Sequence, residues 1–297
     1  MSEDLEFLFA LVLSGASIGL MYSLIALGFV LVYKATDAIN FAQGEFVMLA
    51  GMIVVTVLGA QAPLIAAVVV VLLAMIGFGF GLEKVVLRPL LGRPVVAVIM
   101  ATIGVAALLR GWGPLVLGIE TRNLALPIGD EPITIGPASL PPIQVLGAVV
   151  ALLFFLAFNW FFKKSRMGVA MRAVADNQQV AQAMGINVER YFALAWAMAG
   201  VVSALGGVVW GSMLGVDVQL ALVGLKVFPV VILGGLDSIG GALVGGLIIG
   251  IVESLAAGYL DPYVGGGTKD FAPYVLMILV LMIRPYGIFG RRQIERV

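Results

Sequence analysis

The apolar stretch PLIAAVVVVLLAMIGFGFGL, residues 63–82, decides the fold class, because no charged residue interrupts it. A helix that crosses the hydrocarbon core of a bilayer needs about 20 such residues. Further apolar segments repeat the pattern at about 7–33, 44–60, 94–118, 143–162, 191–215, 222–237, 239–258 and 271–289. Segments 44–60 and 222–237 are short, which is typical of broken, re-entrant or tilted helices. The sequence therefore predicts an all-α polytopic membrane protein with about eight or nine transmembrane helices.

The composition excludes most other classes of protein. Of the 297 residues, 62% are hydrophobic and 11% are charged, whereas a soluble domain has roughly 25% charged residues. The chain has no His and no Cys, which excludes His-based nucleophile pairs, His-ligated metals, disulfides and iron–sulfur clusters. The formal net charge is zero, so nothing favours a nucleic-acid partner. We expect no catalytic residue, no cofactor and no metal site, and these absences argue against a membrane-embedded enzyme.

The distribution of basic residues predicts how the chain is oriented in the membrane. Thirteen Lys and Arg residues fall in the loops on one side of the predicted spans, and three fall in the loops on the other side. Cytoplasmic loops carry the excess of positive charge, so we expect the N-terminus outside and the C-terminus in the cytoplasm. The acidic start, with Glu3, Asp4 and Glu6, differs from the basic start of a signal peptide.

Two loops are longer than a connection requires, and neither is typical of a separate domain. The external loop, about 119–142, contains Ile133-Thr134-Ile135, which could form part of a small hairpin. The cytoplasmic region, about 163–190, is rich in small and polar residues. We therefore predict a single transmembrane domain over residues 1–297.

Two interrupted apolar segments, one in each half of the chain, indicate two related halves and a transport pathway between broken helices. The first, residues 35–46, places Asn40, Gln43 and Glu45 between two apolar runs. Asn40 and Gln43 have capping-box spacing, which predicts a helix that begins near Phe41. The second, residues 233–241, has glycines followed by an Asp-Ser pair that could cap the next helix. The alternative is that both segments are ordinary cytoplasmic turns.

The stretch 167–185 reads as one cytoplasmic helix that is too polar for lipid. Ala173, Val180 and Met184 share one face at helical spacing, and Gly185 is a natural stop. Such a helix could lie on the membrane surface or fit a groove on a cytoplasmic partner. No phosphate-binding motif of the G-x-x-x-x-G-K-[ST] type is present, so we expect no ATP site of that kind in this chain.

Two charged residues inside the predicted spans, Arg110 and Glu253, are costly in lipid and therefore candidates for a functional role. Both fall toward the external ends of their spans, so snorkelling to the interface is the alternative. Several glycine pairs at G-x-x-x-G spacing, including Gly15 with Gly19 and Gly246 with Gly250, predict close helix packing rather than a ligand site.

The sequence resembles the permease subunit of branched-chain amino acid ABC importers over almost its whole length. The motifs that carry the resemblance are GLMYSLIALG (19–28), NFAQGE (40–45), SRMG (165–168), MGIN (184–187) and LGGLDSIGG (233–241). One departure is Gln43, where the family often has His. A role that needs a titrating imidazole is therefore absent, whereas a hydrogen-bonding role would survive.

The resemblance implies an ATP-driven importer in the bacterial inner membrane that works by alternating access. The expected partners are a second homologous permease subunit, two cytoplasmic ATP-binding subunits and an extracytoplasmic solute-binding protein. The resemblance implies that residues 168–186 form the helix that couples to the ATPase, with Gly168, Arg172, Ala173, Asp176, Ala181, Met184 and Gly185 as its site residues. It also implies a translocation pathway near Asn40, Gln43, Gly44, Glu45, Gly234, Gly235, Asp237 and Ser238.

Three questions stay open at this level. Close relatives of the family carry urea or short amides, so a urea or amide permease is the alternative substrate class. A passive channel is the alternative mechanism. The second permease subunit could be a different chain or a second copy of this one.

Overall fold

The computed structural model describes residues 3–124, 126–129 and 131–290. Among them, six helices are long and apolar enough to cross a membrane: α1 (Glu3–Thr36), α3 (Leu64–Leu82), α4 (Val95–Leu117), α5 (Pro142–Lys164), α8 (Val188–Leu214) and α10 (Ile239–Tyr259). A π-helical turn (Glu83–Leu87) and a 3-10 turn (Arg88–Leu90) follow α3 directly, so that the candidate span as a whole covers Leu64–Leu90. The all-α membrane architecture is therefore confirmed.

The remaining helices are shorter. They are α2 (Gln43–Gly59), α6 (Arg166–Asp176), α7 (Gln178–Ala183), α9 (Leu222–Gly234), α11 (Asp261–Val264) and α12 (Thr268–Ile283). The two short segments identified in the sequence are thus α2, with 17 residues, and α9, with 13 residues. A 3-10 turn, Val218–Ala221, leads into α9. Both helices fall below the length that spans a full hydrocarbon core without tilt or thinning.

The chain divides into two compact units that interleave along the sequence. The first combines the described parts of residues 1–26, 127–154 and 226–297, and the second combines those of 27–126 and 155–225. Whether residues 1–297 form a single transmembrane domain stays a prediction. Arg291, Arg292 and Arg296, which contribute to the basic count behind the predicted orientation, lie outside the described residues.

Glycines in the first unit allow α1 and α10 to approach closely. A Cβ added to Gly19 would overlap the carbonyl oxygen of Gly246, and one added to Gly15 would lie 2.6 Å from that of Gly250. Contact of this kind leaves backbones a few ångströms apart, which only residues without a side chain permit. The pairs Gly15/Gly19 and Gly246/Gly250 therefore serve packing, as predicted, whereas an added Cβ at Gly77 or Gly81 would meet no atom within 4 Å.

In the second unit, α8 packs against both α2 and α3, and α2 also packs against α4. The α3–α8 contact is again set by glycine, because a Cβ on Gly79 would overlap the carbonyl oxygen of Trp196 and one on Gly200 would overlap that of Met75. The ring of Phe46 on α2 lies edge-on to Phe78 on α3, with centroids 5.1 Å apart. These contacts fix the position of the first turn of α2.

The external loop contains the hairpin indicated by Ile133-Thr134-Ile135. Strand β1 (Ile133–Ile135) pairs antiparallel with β2 (Ala138–Leu140), and Ile133 is opposite Leu140. Gly136 turns the chain with a φ of +61°, a conformation that glycine adopts without strain.

The prediction of one helix over 167–185 is wrong. The helix breaks at Asn177, which has an extended backbone and whose side chain accepts a hydrogen bond from the N–H of Val180. Asn competes with helical hydrogen bonds in this way and is a strong N-cap, so α7 begins directly after it. The stop at Gly185 is confirmed: its φ is +80°, and Ile186 N–H donates to Ala181 O.

Candidate functional site

The first turn of α2 is held by a buried network of amides and hydroxyls in the second unit. The Asn40 side-chain amide donates to Gln43 Oε1 at 3.0 Å, and Gln43 Nε2 donates to Ser203 Oγ on α8 at 2.9 Å. Ser203 Oγ in turn donates to Ala199 O at 2.8 Å. Asn40, Gln43 and Ser203 are all fully buried. Each of these three side chains therefore has a partner, as the burial of a polar group requires.

The start of α2 differs from the capping box predicted for it. The helix begins at Gln43 rather than near Phe41, and Ala42 occupies the N-cap position without a side-chain bond. Asn40 Oδ1 accepts from Ala42 N–H at 3.0 Å, one residue before the helix. Asn40 and Gln43 therefore form a hydrogen bond between their two side chains instead of a capping box. The Gln43 side chain points toward α8 and does not bond to the Asn40 N–H.

A second polar anchor joins the same turn to α4. Thr102 Oγ1 accepts from the N–H of Phe41 at 3.2 Å and donates to Ile99 O at 2.8 Å. Thr102 is buried. Neither Thr102 nor Ser203 was identified from the sequence, although each is a hydroxyl within an apolar run, which is the signal that could have found them.

Gly44 brings α2 close to the start of α9. A Cβ on Gly44 would overlap the carbonyl oxygen of Ala221 and would lie 3.1 Å from Gly224 Cα. Gly44 is therefore a packing residue, and any side chain at this position would separate the two helices.

Glu45 and Arg110 form an ion pair between α2 and α4. The Glu45 side chain is 5% exposed, whereas that of Arg110 is 49% exposed within the chain. Arg110 therefore does not simply extend to the interface, since its guanidinium neutralises a buried carboxylate. The pair joins two residues that were identified in the sequence separately, one as a pathway candidate and the other as a charge inside a span.

The glycine turn at 233–241 lies in the first unit and is covered by the chain that follows α12. Ile288 N–H donates to Leu233 O at 2.8 Å, and Phe289 N–H donates to Gly234 O at 3.2 Å. Gly235 has a φ of +101°, and a Cβ there would lie 2.5 Å from Gly290 N. Gly234 and Gly235 are both buried, so they are packed by backbone.

Ser238 caps α10 as predicted, because its Oγ accepts from Gly241 N–H at 2.9 Å. Asp237, next to it, is half-buried. The candidates around Asn40 belong to the second unit and those around Gly235 to the first. That both groups border a translocation pathway stays a prediction.

A further polar cluster in the first unit surrounds Glu253 on α10. Tyr22 Oη donates to Glu253 Oε1 at 3.2 Å, and Lys226 Nζ lies 3.6 Å from the same oxygen. Lys226 also pairs with Asp270 at 2.7 Å. Glu253 is thus neutralised inside the unit rather than carried to the interface by snorkelling. Lys226 is one of the three basic residues that the predicted orientation counts in loops on the less basic side, but it lies in α9. Its pairing with Glu253 depends on the tertiary fold.

The predicted coupling region turns one apolar face inward and leaves another exposed. Met171, Val174 and Ala181 are buried, whereas Val180 is 57% exposed and Met184 is 78% exposed. Ala173 is half-buried, and Asp176 and Gly185 are exposed. The face predicted from Ala173, Val180 and Met184 is therefore not continuous: half-buried Ala173 lies on α6, whereas Val180 on α7 and Met184 directly after it are exposed.

Arg172 points back to the preceding helix rather than outward. Its guanidinium donates to the carbonyl of Phe162 at the end of α5 and lies 5.6 Å from the centroid of that ring. Gly168 is buried at the same place, and a Cβ there would overlap the Phe162 carbonyl oxygen. Cations at a helix C-terminus are favourable, so Arg172 and Gly168 fix α6 against α5.

The family model described as branched-chain amino acid transport system / permease component matches residues 11–282 of the chain. The chain is 32% identical to the high-affinity branched-chain amino acid transport system permease protein LivH of Escherichia coli strain K12, over the full length of both proteins. It is 32% identical to BraD, the permease protein of the corresponding high-affinity system of Pseudomonas aeruginosa, over 96% of each. A probable LivH of Methanocaldococcus jannaschii is 32% identical over 90% of this chain and 88% of that protein.

A solved structure shares the fold. A chain of PsaBC from Streptococcus pneumoniae in complex with Fab superposes with a TM-score of 0.50, covers 95% of this chain and 94% of its own length, and is 15% identical. At that identity the likeness concerns the arrangement of the helices alone.

Proposed function

This chain belongs to the family of branched-chain amino acid transport permeases, and from that premise we propose that it is the membrane-spanning subunit of an ATP-driven importer for aliphatic amino acids. The main support for the proposal is sequence similarity to such permeases, which extends along the whole chain rather than over one motif. The two units and their broken, glycine-packed helices support it, since carriers place their pathways at interrupted helices. The host membrane is the bacterial inner membrane.

We assign the pathway to the backbone at the two interrupted segments, bordered by Asn40, Gln43, Gly44 and Glu45 in one unit and by Gly234, Gly235, Asp237 and Ser238 in the other. Asn40 and Gln43 are fully buried, so their role is to hold the first turn of α2 in place rather than to bind substrate. The absence of His at position 43 is consistent with this role, because Gln43 needs only to donate and accept hydrogen bonds.

The partners proposed are a second permease subunit, two cytoplasmic ATP-binding subunits and an extracytoplasmic solute-binding protein. The ATPase contact is the outward side of α7, where Val180 and Met184 are exposed. A short helix with two apolar anchors on a polar surface suits insertion into a groove of another protein. ATP binding would move this helix and open the pathway to the opposite side, and hydrolysis would reset it.

The proposed orientation places the N-terminus outside and the C-terminus in the cytoplasm. Lys34, Lys84 and the basic residues of 163–190 then lie on the ATPase side, as the excess of positive charge in cytoplasmic loops predicts. The β1–β2 hairpin lies on the side of the solute-binding protein.

One experiment tests both the substrate and the ATPase contact. Uptake of labelled leucine and labelled urea is measured in cells that lack the gene, and in the same cells after they receive the native gene, an α7 variant or a control variant. We expect the native chain to restore leucine uptake and to leave urea uptake unchanged. Val180→Asp/Met184→Asp should reduce leucine uptake and recovery of ATPase with the purified permease by about tenfold or more, because a desolvated carboxylate opposes burial in a groove.

The matched control makes the same kind of change on the β1–β2 hairpin. Ile133→Asp/Ile135→Asp also replaces two exposed aliphatic residues, but on the opposite side in the proposed orientation, and should leave ATPase recovery unchanged. Restoration of urea uptake alone would move the substrate to the alternative class. Normal ATPase recovery by the α7 variant would show that the contact lies elsewhere.

A further inference from the structure

The charge of Arg110 lies at a depth of α4 from which the side chain does not reach the membrane interface. Arg110 is seven residues before the end of α4, which corresponds to about 10 Å along the helix axis. Its partner Glu45 follows the turn in which the Phe41 N–H binds Thr102, eight residues earlier in α4. The guanidinium therefore extends toward the middle of the helix and away from its nearer end, which is the opposite of snorkelling.

About half of the Arg110 side chain is exposed on the surface of the chain. It is 49% exposed, although the carboxylate with which it pairs is buried. A guanidinium has five N–H donors in a planar fork, and Arg110 donates to Glu45 through Nη2. Charged groups at membrane depth rarely face lipid, because hydrocarbon offers no acceptor. The exposed part of Arg110 therefore lies against water or against another protein.

The surroundings of Arg110 favour protein over water. Its exposed neighbours on the helix are Gly104, Ala107 and Gly111, and we call these four residues the α4 face. Water inside a protein is held by two to four polar partners, whereas no exposed residue of α4, which is described in full, has a side-chain acceptor. The α4 face is thus an apolar surface with a single cation in it.

Glycine faces are the means by which this chain packs its own helices. Gly79 and Gly200 let the backbones of α3 and α8 meet at a distance that a side chain would prevent. In contrast, a Cβ added to Gly104 or Gly111 would meet nothing within 4 Å. The α4 face therefore offers the same kind of surface to a helix that the described part of the chain does not supply.

We propose that the α4 face binds a transmembrane helix of the second permease subunit. That helix packs over the small residues of the face and presents a carboxylate, amide or carbonyl oxygen to Arg110. Arg110 then has an acceptor on each side, Glu45 within the chain and an oxygen of the partner beyond it. That the partner is a permease subunit rests on the proposed function.

The charge pattern also indicates that the partner is a different chain. In a two-fold pair of identical subunits, the same patch meets itself. Two copies of the α4 face would bring together two arginines and no exposed acceptor, because Glu45 is buried. A different permease chain that carries the acceptor avoids this arrangement.

The first test measures association of the two subunits in detergent. The tagged full chain is coexpressed with an epitope-tagged second permease subunit, without ATP-binding subunits, so that only direct contact retains the partner. Gly104→Leu/Gly111→Leu should reduce recovery of the partner about tenfold or more, because leucine side chains hold the partner helix away. Both positions are open within the chain, so its own unfolding midpoint should not fall.

The matched control replaces two other open glycines of a membrane-spanning helix. Gly77 and Gly81 on α3 are also exposed, and an added Cβ would meet nothing there within 4 Å. The sequence of α3 contains no charged residue, so this surface lacks the feature that calls for a partner. Gly77→Leu/Gly81→Leu should therefore recover the second subunit as the native chain does.

A second variant tests the charge separately from the shape. Arg110→Met/Glu45→Gln removes the cation together with its internal carboxylate, so the chain should keep most of its stability. It should still recover about tenfold less of the second subunit, because the oxygen on the partner loses its donor. A role of the ion pair in folding alone predicts native recovery instead.

A third measurement distinguishes protein from water at the α4 face. The chain has no Cys, so Gly111→Cys introduces a single thiol. In opened membranes that contain both permease subunits, a charged, water-soluble thiol reagent should leave Gly111→Cys unlabelled and should label Asp4→Cys, at an exposed position near the N-terminus.

Equal recovery of the second subunit by Gly104→Leu/Gly111→Leu and its α3 control would overturn the proposal. Labelling of Gly111→Cys as complete as that of Asp4→Cys would also overturn it, since the face would then line water. Association is measured without transport, so the outcome is separable from that of the proposed function. A chain that loses the partner only in the α4 variants but does not restore leucine uptake would contradict the function and leave the contact standing.

Discussion

Arg110→Met should destabilise the protein by about 3–5 kcal/mol, because the substitution leaves Glu45 as a buried carboxylate without its cation. The Glu45 side chain is only 5% exposed, and Arg110 is its one ion-pair partner among the described residues. Met retains most of the apolar stem of Arg, so the loss reflects the charge rather than the packing. The measurement is the thermal unfolding midpoint of the purified chain in detergent, together with the amount of chain in the membrane.

The rescue by a second substitution separates charge from shape. Glu45→Gln in the Arg110→Met background removes the uncompensated charge and should recover most of the lost stability, since an ion pair replaced on both sides can be nearly neutral. Arg190→Met, at an exposed arginine, is the matched control and should change stability little. Equal midpoints for Arg110→Met and Arg190→Met would show that the pair contributes nothing.

Gln43→Leu should destabilise the first turn of α2 by about 2–4 kcal/mol, because it removes partners of the buried Asn40 amide and Ser203 hydroxyl. An unsatisfied buried polar group costs roughly 1–3 kcal/mol, and Leu keeps a similar volume without hydrogen bonds. Leucine uptake should fall together with the stability of this turn, since we place the turn at the pathway. The readouts are uptake and the unfolding midpoint.

Gln43→His distinguishes hydrogen bonding from shape. A neutral imidazole has one donor and one acceptor, which match the two bonds that Gln43 makes, so this variant should retain most of the uptake. Gln219→Leu, at an exposed glutamine, controls for the loss of an amide and should behave as the native chain. Normal uptake and stability in Gln43→Leu would remove the network from any role in positioning α2.

The sequence predicts local features of this fold well. The apolar segments correspond to the long helices and to α2, α9 and α12, and the Ser238 cap, the Gly185 stop and the hairpin at Ile133 are all present. Each of these depends on a few neighbouring residues whose preference is intrinsic to the backbone. The single helix over 167–185 was wrong because the capping preference of Asn177 outweighed the helical propensity of the residues beside it.

The side-chain contacts that form the candidate sites join residues far apart in the chain and could not be predicted from one sequence. Glu45 meets Arg110 across 65 positions, and Gln43 meets Ser203 across 160. The inward direction of Arg172 depends on where α5 ends. Such pairings follow from helix packing, which in this protein is set by backbone contacts at glycine that spacing alone does not assign to a partner.

The most direct test of the central claim is leucine accumulation in proteoliposomes that hold the permease with its second permease subunit and its ATP-binding subunits, with solute-binding protein and labelled leucine outside. An importer subunit predicts that internal leucine rises above the external concentration when ATP is supplied to the ATPase, and that accumulation stops without ATP or in Val180→Asp/Met184→Asp. Leucine that equilibrates across the membrane at the same rate with and without ATP would show a passive channel and would contradict the account.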